Sequence, residues 1–277
     1  MLKGTKRTAL WIGLTVMTGA VGFGVRADTP APGGVNMDQL KRILSGETIA
    51  ERGMEDFTTE FFIDECDFRD RGDNLFFPLQ PGHRLYLAGD DEGEFVELFI
   101  TVQKKTKSIS LVIDGKKQKV KTRIVEEREL KDGELAEISK NYFAVCEETG
   151  DVYYFGEDVC FFEKGECVGT DGSWLAGKDG ATPGIIMPGT FLLGARYYQE
   201  FAPGIAEDRG EHIAMGETVK VPAGTFEGCV VVLETNPLDP GSEDEKVYAP
   251  EVGLIKDGVL ELVSYELVDD DDRRRRR

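Results

Sequence analysis

The chain has 277 residues, 40% of them hydrophobic, and a formal net charge of −19. That apolar content over that length can bury a substantial core, which excludes disorder of the whole chain. A negative surplus of this size repels nucleic acid and anionic lipid, so neither is an expected partner.

Lys3, Lys6 and Arg7 precede an apolar run from Leu10 to Val25, and Val25-Arg26-Ala27 sets small residues at the minus-three and minus-one positions of a signal-peptidase site. Residues 1–27 therefore read as a cleaved signal peptide, and the product is expected to be exported: periplasmic, cell-surface or extracellular. Cleavage removes Lys3, Lys6, Arg7 and Arg26 and no acidic residue, taking the formal charge to −23. No later apolar run is long enough to span a bilayer as a helix.

Residues 28–75 read as a linker and an acidic segment, with Asn36 capping a short helix over Met37 to Leu44. Asp64, Glu65, Asp67, Asp70 and Asp73 form the densest run of carboxylates. No cofactor is expected; the alternative is Ca²⁺, which hard oxygen ligands at that density could bind, although the spacing is not that of an EF-hand.

From Phe76 to Val268 the pattern is that of a single β domain. Val96, Leu98, Ile100 and Val102 alternate with polar residues, as do Ile109, Leu111 and Ile113. A turn at Asp114-Gly115 pairs Ile109 with Val120. A turn at Asp132-Gly133 pairs Ile124 with Asn141 and Val120 with Val145, and one at Thr149-Gly150 sets Tyr154 opposite Val145. These registers put Ile109, Leu111, Ile113, Val120, Ile124, Phe143, Val145 and Tyr154 on one apolar side of an antiparallel meander. The other side carries Lys117, Lys119, Lys121 and Arg123, expected to be solvated.

The Gly- and Pro-rich stretch Thr170 to Thr190 carries Trp174 and Ile186, expected to cap a core end or to form the lip of a cavity. Cys229 to Leu233 has no polar position and reads as a central strand, and Asp257-Gly258 as the turn of a closing hairpin. The fold class expected is all-β: an antiparallel meander forming a curled sheet, half-barrel or sandwich. Residues 269–277, four Asp and five Arg, read as a disordered tail. Five cysteines leave at least one without an intramolecular partner, and Cys160 and Cys167, diagonal across a Lys164-Gly165 turn, are not expected to bridge.

The phrases Phe77-Pro78-Leu79-Gln80-Pro81-Gly82, Val221-Pro222-Ala223-Gly224-Thr225-Phe226 and Tyr248-Ala249-Pro250-Glu251-Val252-Gly253-Leu254 resemble those of a set of bacterial exported β proteins. That set is similar in layout to lipoprotein-carrier half-barrels. The resemblance implies an antiparallel sheet curled around an apolar interior that holds an acyl chain or another hydrophobic ligand; it implies no catalytic residues.

The function expected from these readings is non-enzymatic binding of an apolar or amphipathic ligand, a lipid or a protein partner. The expected lining is Ile109, Leu111, Val120, Ile124, Phe143, Val145, Tyr154, Trp174 and Ile186. Two other readings stand beside it: a Ca²⁺-binding structural or cell-surface protein, and a hydrolase in which His83 or His212 meets carboxylates in one cleft.

Overall fold

The structure, a computed structural model, describes residues 56–267. Residues 1–27, expected to be a signal peptide, residues 28–55 with the helix expected at Met37 to Leu44, and the charged tail lie outside the described residues.

Sixteen strands follow in chain order: β1 (Phe68–Arg69), β2 (Arg84–Asp91), β3 (Glu94–Ile113), β4 (Lys116–Lys131), β5 (Glu134–Cys146), β6 (Val152–Glu163), β7 (Glu166–Gly169), β8 (Trp174–Leu175), β9 (Thr182–Met187), β10 (Arg196–Tyr198), β11 (Glu200–Phe201), β12 (Arg209–Val221), β13 (Gly224–Thr235), β14 (Glu243–Ala249), β15 (Gly253–Asp257) and β16 (Leu260–Glu266). They form an open antiparallel sheet in which thirteen run in the order β10-β12-β13-β14-β15-β16-β2-β3-β4-β5-β6-β9-β11, with β1 paired to β5 and β7 and β8 paired to β6 off that path. The two ends of that path, β10 and β11, come from one continuous stretch with Gln199 between them. The sheet thus curls until its edges meet across a single segment, and the curled face becomes an interior.

Glycine-containing turns fix much of this curl. Asp114 and Gly115 both take positive φ, as do Asp132 and Gly133, which is what a two-residue hairpin turn demands. Ile113 pairs with Lys116, Leu111 with Gln118 and Ile109 with Val120, as expected from the sequence. Cys229 to Leu233 in β13 is buried throughout.

Three registers differ from expectation. A bulge between Glu129 and Leu130 slips the β4–β5 ladder by one residue, so Ile124 lies opposite Tyr142 and Arg123 opposite Phe143. The β5–β6 ladder slips by two, pairing Phe143 with Tyr154 and Val145 with Val152. The last hairpin turns at Gly258-Val259, one residue later than expected, which puts Asp257 opposite Leu260 in the ladder.

A one-residue slip exchanges the two faces of a strand. Phe143, Val145 and Tyr154 therefore share the inner face with Arg123, while Ile109, Leu111, Ile113, Val120 and Ile124 lie on the outer one. The single apolar side does not exist; there are two. The outer cluster is covered in its turn, because Gly177 sits against Leu111 with no room for a Cβ.

The same slip corrects the basic stripe. Lys117 and Lys119 are exposed, but Arg123 is only 3% exposed. Its Nη1 donates to the carbonyls of Gln103 (3.1 Å) and Lys104 (3.0 Å), which the β3 bulge leaves without ladder partners. Its Nε donates to the Asp70 carbonyl at 2.9 Å, and its Nη2 meets the Asp70 carboxylate.

The segment before Phe76 is not a separate acidic linker from Asp56 onward. β1 pairs with β5, Phe68 packs edge-on against Tyr153 and Phe155, and a disulfide joins Cys66 to Cys146. A second disulfide joins Cys160 to Cys167, contrary to expectation. The Lys164-Gly165 turn is as read, but β6 and β7 shift register between Phe161 and Phe162, and the bent pair brings the two Cα atoms to 5.8 Å. Cys229 is free and buried. Among the described residues no helix is long and apolar enough to cross a membrane.

Removing Arg123 leaves Asp70 with Lys121 at 3.1 Å, but it takes the donor from the Asp70, Gln103 and Lys104 carbonyls as well as half of a buried ion pair, a cost of about 3–5 kcal/mol in all. Arg123→Ala is expected to lower the urea unfolding free energy by about that much, while Lys117→Ala on the exposed part of the same strand changes it by less than about 0.5 kcal/mol. Equal effects would refute the assignment of Arg123 as the clasp between the bulge and the Asp70 loop.

Candidate functional site

Along each inner strand the side chains change character from one end of the curl to the other. At one end the interior is apolar: Leu85, Ile100, Val102, Val125, Phe143, Tyr154 and Tyr248 pack together and leave a cavity of only about 80 Å³. At the other end the same face carries carboxylates around a cleft of about 660 Å³.

The register explains which residues arrive there. Val125 faces inward, so Glu127 and Glu129, two and four residues on, do so too. Ser139 lies opposite Glu127 and Glu137 opposite Glu129 on β5. Glu157 enters from β6, Glu200 from β11 and Asp208 from the loop before β12. Asp244 and Asp257 come from β14 and β15, and Asp171 and Asp239 from the rim loops. No Lys, Arg or His lines the cleft among the described residues.

A polar layer separates the two ends. The Tyr154 hydroxyl donates to Asn141 Oδ1, and Asn141 Nδ2 donates to Ser139 Oγ at 3.2 Å, beside Glu157. On the opposite wall Lys246, 6% exposed, holds Glu234 at 2.9 Å and Asp257 at 3.6 Å, while Gln199 Nε2 donates to Glu234 at 2.7 Å. Lys246 offsets part of the charge from behind the cleft wall. The carboxylates facing the cleft outnumber it many times over.

Loss of water around these groups favours their neutral forms, and their mutual repulsion adds to it. Burial pushes the Glu127 carboxyl up to about 7, partly relieved by Lys246, and does the same to Glu137, where Glu129 and Glu127 add to the effect. Asp208 and Asp244 are raised to about 6, again chiefly by burial. Glu157 and Glu200 stand well above the usual carboxylate range for the same reason. Glu200 is 2% exposed; Asp208 and Glu157 are the charges nearest its carboxyl, and its Oε2 makes no hydrogen bond of good geometry. Such a cleft can take up protons or cations.

The residues expected to line an apolar site are divided. Phe143, Tyr154 and Ile186 border the small apolar cavity; Trp174 is buried edge-on to Tyr154, with its indole beside the Glu200 carboxyl. Val145 shares their face but is covered by Gly72, whose Cα leaves no room for a Cβ. Ile109, Leu111, Val120 and Ile124 are on the other face.

The five carboxylates expected to hold Ca²⁺ do not converge. Asp70 is paired with Arg123 and Lys121, and Asp67 with Arg69, while Asp64 and Glu65 belong to an exposed 3₁₀ turn (Ile63–Glu65) and Asp73 is exposed in the loop before Asn74.

Both histidines are structural. His83 Nε2 lies 2.8 Å from the Val252 carbonyl, and His212 stacks on Phe191 at 3.6 Å with Tyr197 and the Leu192 carbonyl on its two nitrogens. Burial lowers the His212 ring to about 4. Neither lines the acidic cleft, so the histidine–carboxylate convergence that the hydrolase reading expects does not occur there.

Sequence reasoning missed the cleft because its residues lie on separate strands and read as solvent-facing charge. The available signal was phase: Glu127 and Glu129 keep step with Val125, and Asp244 with Tyr248.

A carboxyl whose folded-state value is raised keeps its proton in the folded protein where the unfolded chain releases it. Between about pH 4.5 and 7 the folded state therefore binds more protons, and stability falls as pH rises through that window. The melting temperature is expected to drop by about 5 °C or more from pH 5.5 to pH 8 at low salt. The double variant Glu127→Gln/Glu137→Gln is expected to flatten that slope, and a wild-type melting temperature that rises over the same interval would contradict it.

Comparison with known proteins returns no matching family model, curated relative or solved structure, so the acidic cleft is read from its own geometry.

Proposed function

We propose that this is an exported β protein that binds a cationic ligand in the acidic cleft of its curled sheet. One observation carries the reading: ten carboxylates line a single cleft of about 660 Å³ with no basic side chain among the lining residues. A cleft of one charge sign with low-dielectric walls focuses its field on the solvent inside and concentrates counter-charge there. The volume falls within the range of small-molecule sites, about 300–1,000 Å³.

The reading replaces the expected apolar ligand. The apolar end is filled by its own side chains, and about 80 Å³ has room for a few waters but not for an acyl chain. Both histidines are committed to packing, which supports binding in place of hydrolysis.

Hexamminecobalt(III), a compact trivalent cation, probes the charge of the cleft without regard to shape. Titration at pH 8 and low salt is expected to give saturable binding that weakens as sodium chloride is added. The variant Glu137→Gln/Asp208→Asn/Asp244→Asn is expected to bind at least ten-fold more weakly. Binding absent from the wild type, or equal in the variant, would overturn the proposal.

A further inference from the structure

We infer that the ligand class of this cleft is a linear aliphatic polyamine, an inference that rests on the cation-binding reading above. The first observation concerns spacing. Two oxygens bound to one Ca²⁺ at about 2.4 Å lie within about 4.8 Å of each other. Among the described residues the only group of three or more such ligand atoms within 4.8 Å is Cys66, Cys146 and Glu148, whose cysteines are joined to each other; the cleft holds none. Its carboxylates are spread over the walls, an arrangement suited to several charges carried by one extended ligand.

The second observation concerns what lies between the charges. Leu98, Val159, Phe161, Ile205, Leu238 and Leu260 share the lining with the carboxylates. Ile205 and Leu238 stand 47% and 44% exposed at the mouth. A hydrated metal ion gains nothing from such surfaces. A chain of methylenes between ammonium groups gains on the order of 0.8 kcal/mol for each CH₂ it buries, equivalent to about a four-fold tightening.

The third observation is Glu200. It lines the cleft and is 2% exposed, and although the Asp208 carboxyl and the Trp174 indole lie beside it, its Oε2 makes no hydrogen bond of good geometry, whereas buried carboxylate oxygens are ordinarily satisfied. Burial holds a proton on Glu200; an ammonium, a donor with no acceptor capacity, displaces that proton and gives the carboxylate a cationic partner.

Spermidine and hexamminecobalt(III) carry the same charge of about +3 at pH 7, so their comparison separates shape from charge. By calorimetry at pH 7 and low salt, spermidine is expected to bind at least ten-fold more tightly than the cobalt complex. Glu200→Gln is expected to weaken spermidine at least ten-fold. A series of α,ω-diamines of increasing length is expected to tighten by about two- to four-fold per added methylene until the cleft is spanned, a measurement that needs no variant to fold. Cobalt binding with spermidine no tighter, or a diamine series flat in length, would overturn the polyamine class and leave the cation-binding reading standing. Failure of both ligands to bind would overturn both.

Discussion

Keeping carboxyl groups on the inward face of a β-sheet works against folding, since each must surrender water and most gain no cationic partner. Everything distinctive about this protein follows from how the scaffold bears that cost. The apolar half of the interior, from Leu85 and Ile100 through Phe143 to Tyr248, supplies the favourable burial. The disulfides Cys66–Cys146 and Cys160–Cys167 and the Arg123 clasp restrain the strands around it. Lys246, held between Glu234 and Asp257, and Lys131, 3.6 Å from Glu129, are charges set beside the acidic wall. The remaining repulsion is left in the cleft, where protons or an incoming cation can discharge it.

Strain of this sort marks sites more reliably than it marks scaffolds. Perturbed carboxyls that share a cleft, as Glu127, Glu137, Asp208 and Asp244 do, are where a fold departs from its most stable sequence. The polar layer of Asn141, Ser139, Gln199 and Glu234 lets one continuous sheet carry a packed core at one end and an open acidic cleft at the other. Gln199 links β10 to β11, so the residue that joins the two sheet edges also touches this layer.

Much of the fold was legible in the sequence, and the site was not. Alternation and Asp-Gly turns identify an antiparallel β protein, and the Asp114-Gly115 hairpin pairs residue for residue as its pattern requires. Bulges are where the reading breaks: one extra residue near Leu130 exchanges the faces of β4 relative to β5, converting one expected apolar side into two and moving Glu127 and Glu129 from solvent to interior. The turn at Gly258-Val259 has the same effect on a smaller scale, drawing Asp257 from a loop into the ladder beside Lys246. A dense local run such as Asp64 to Asp73 attracts notice as a metal site, yet Asp67 and Asp70 are spent on Arg69 and Arg123. Carboxylates that converge from distant strands leave no local trace in the sequence.

The central claim is that desolvated, mutually repelling carboxyls face one cleft, and the most direct measurement is carboxyl-carbon NMR of the folded protein with ¹³C-labelled glutamate and aspartate, titrated from pH 3 to pH 9. The account predicts that Glu127 and Glu137 titrate near 7 and Asp208 and Asp244 near 6, all four moving to lower pH when a polycation is added. Titration of all four near 4, unmoved by the polycation, would contradict it.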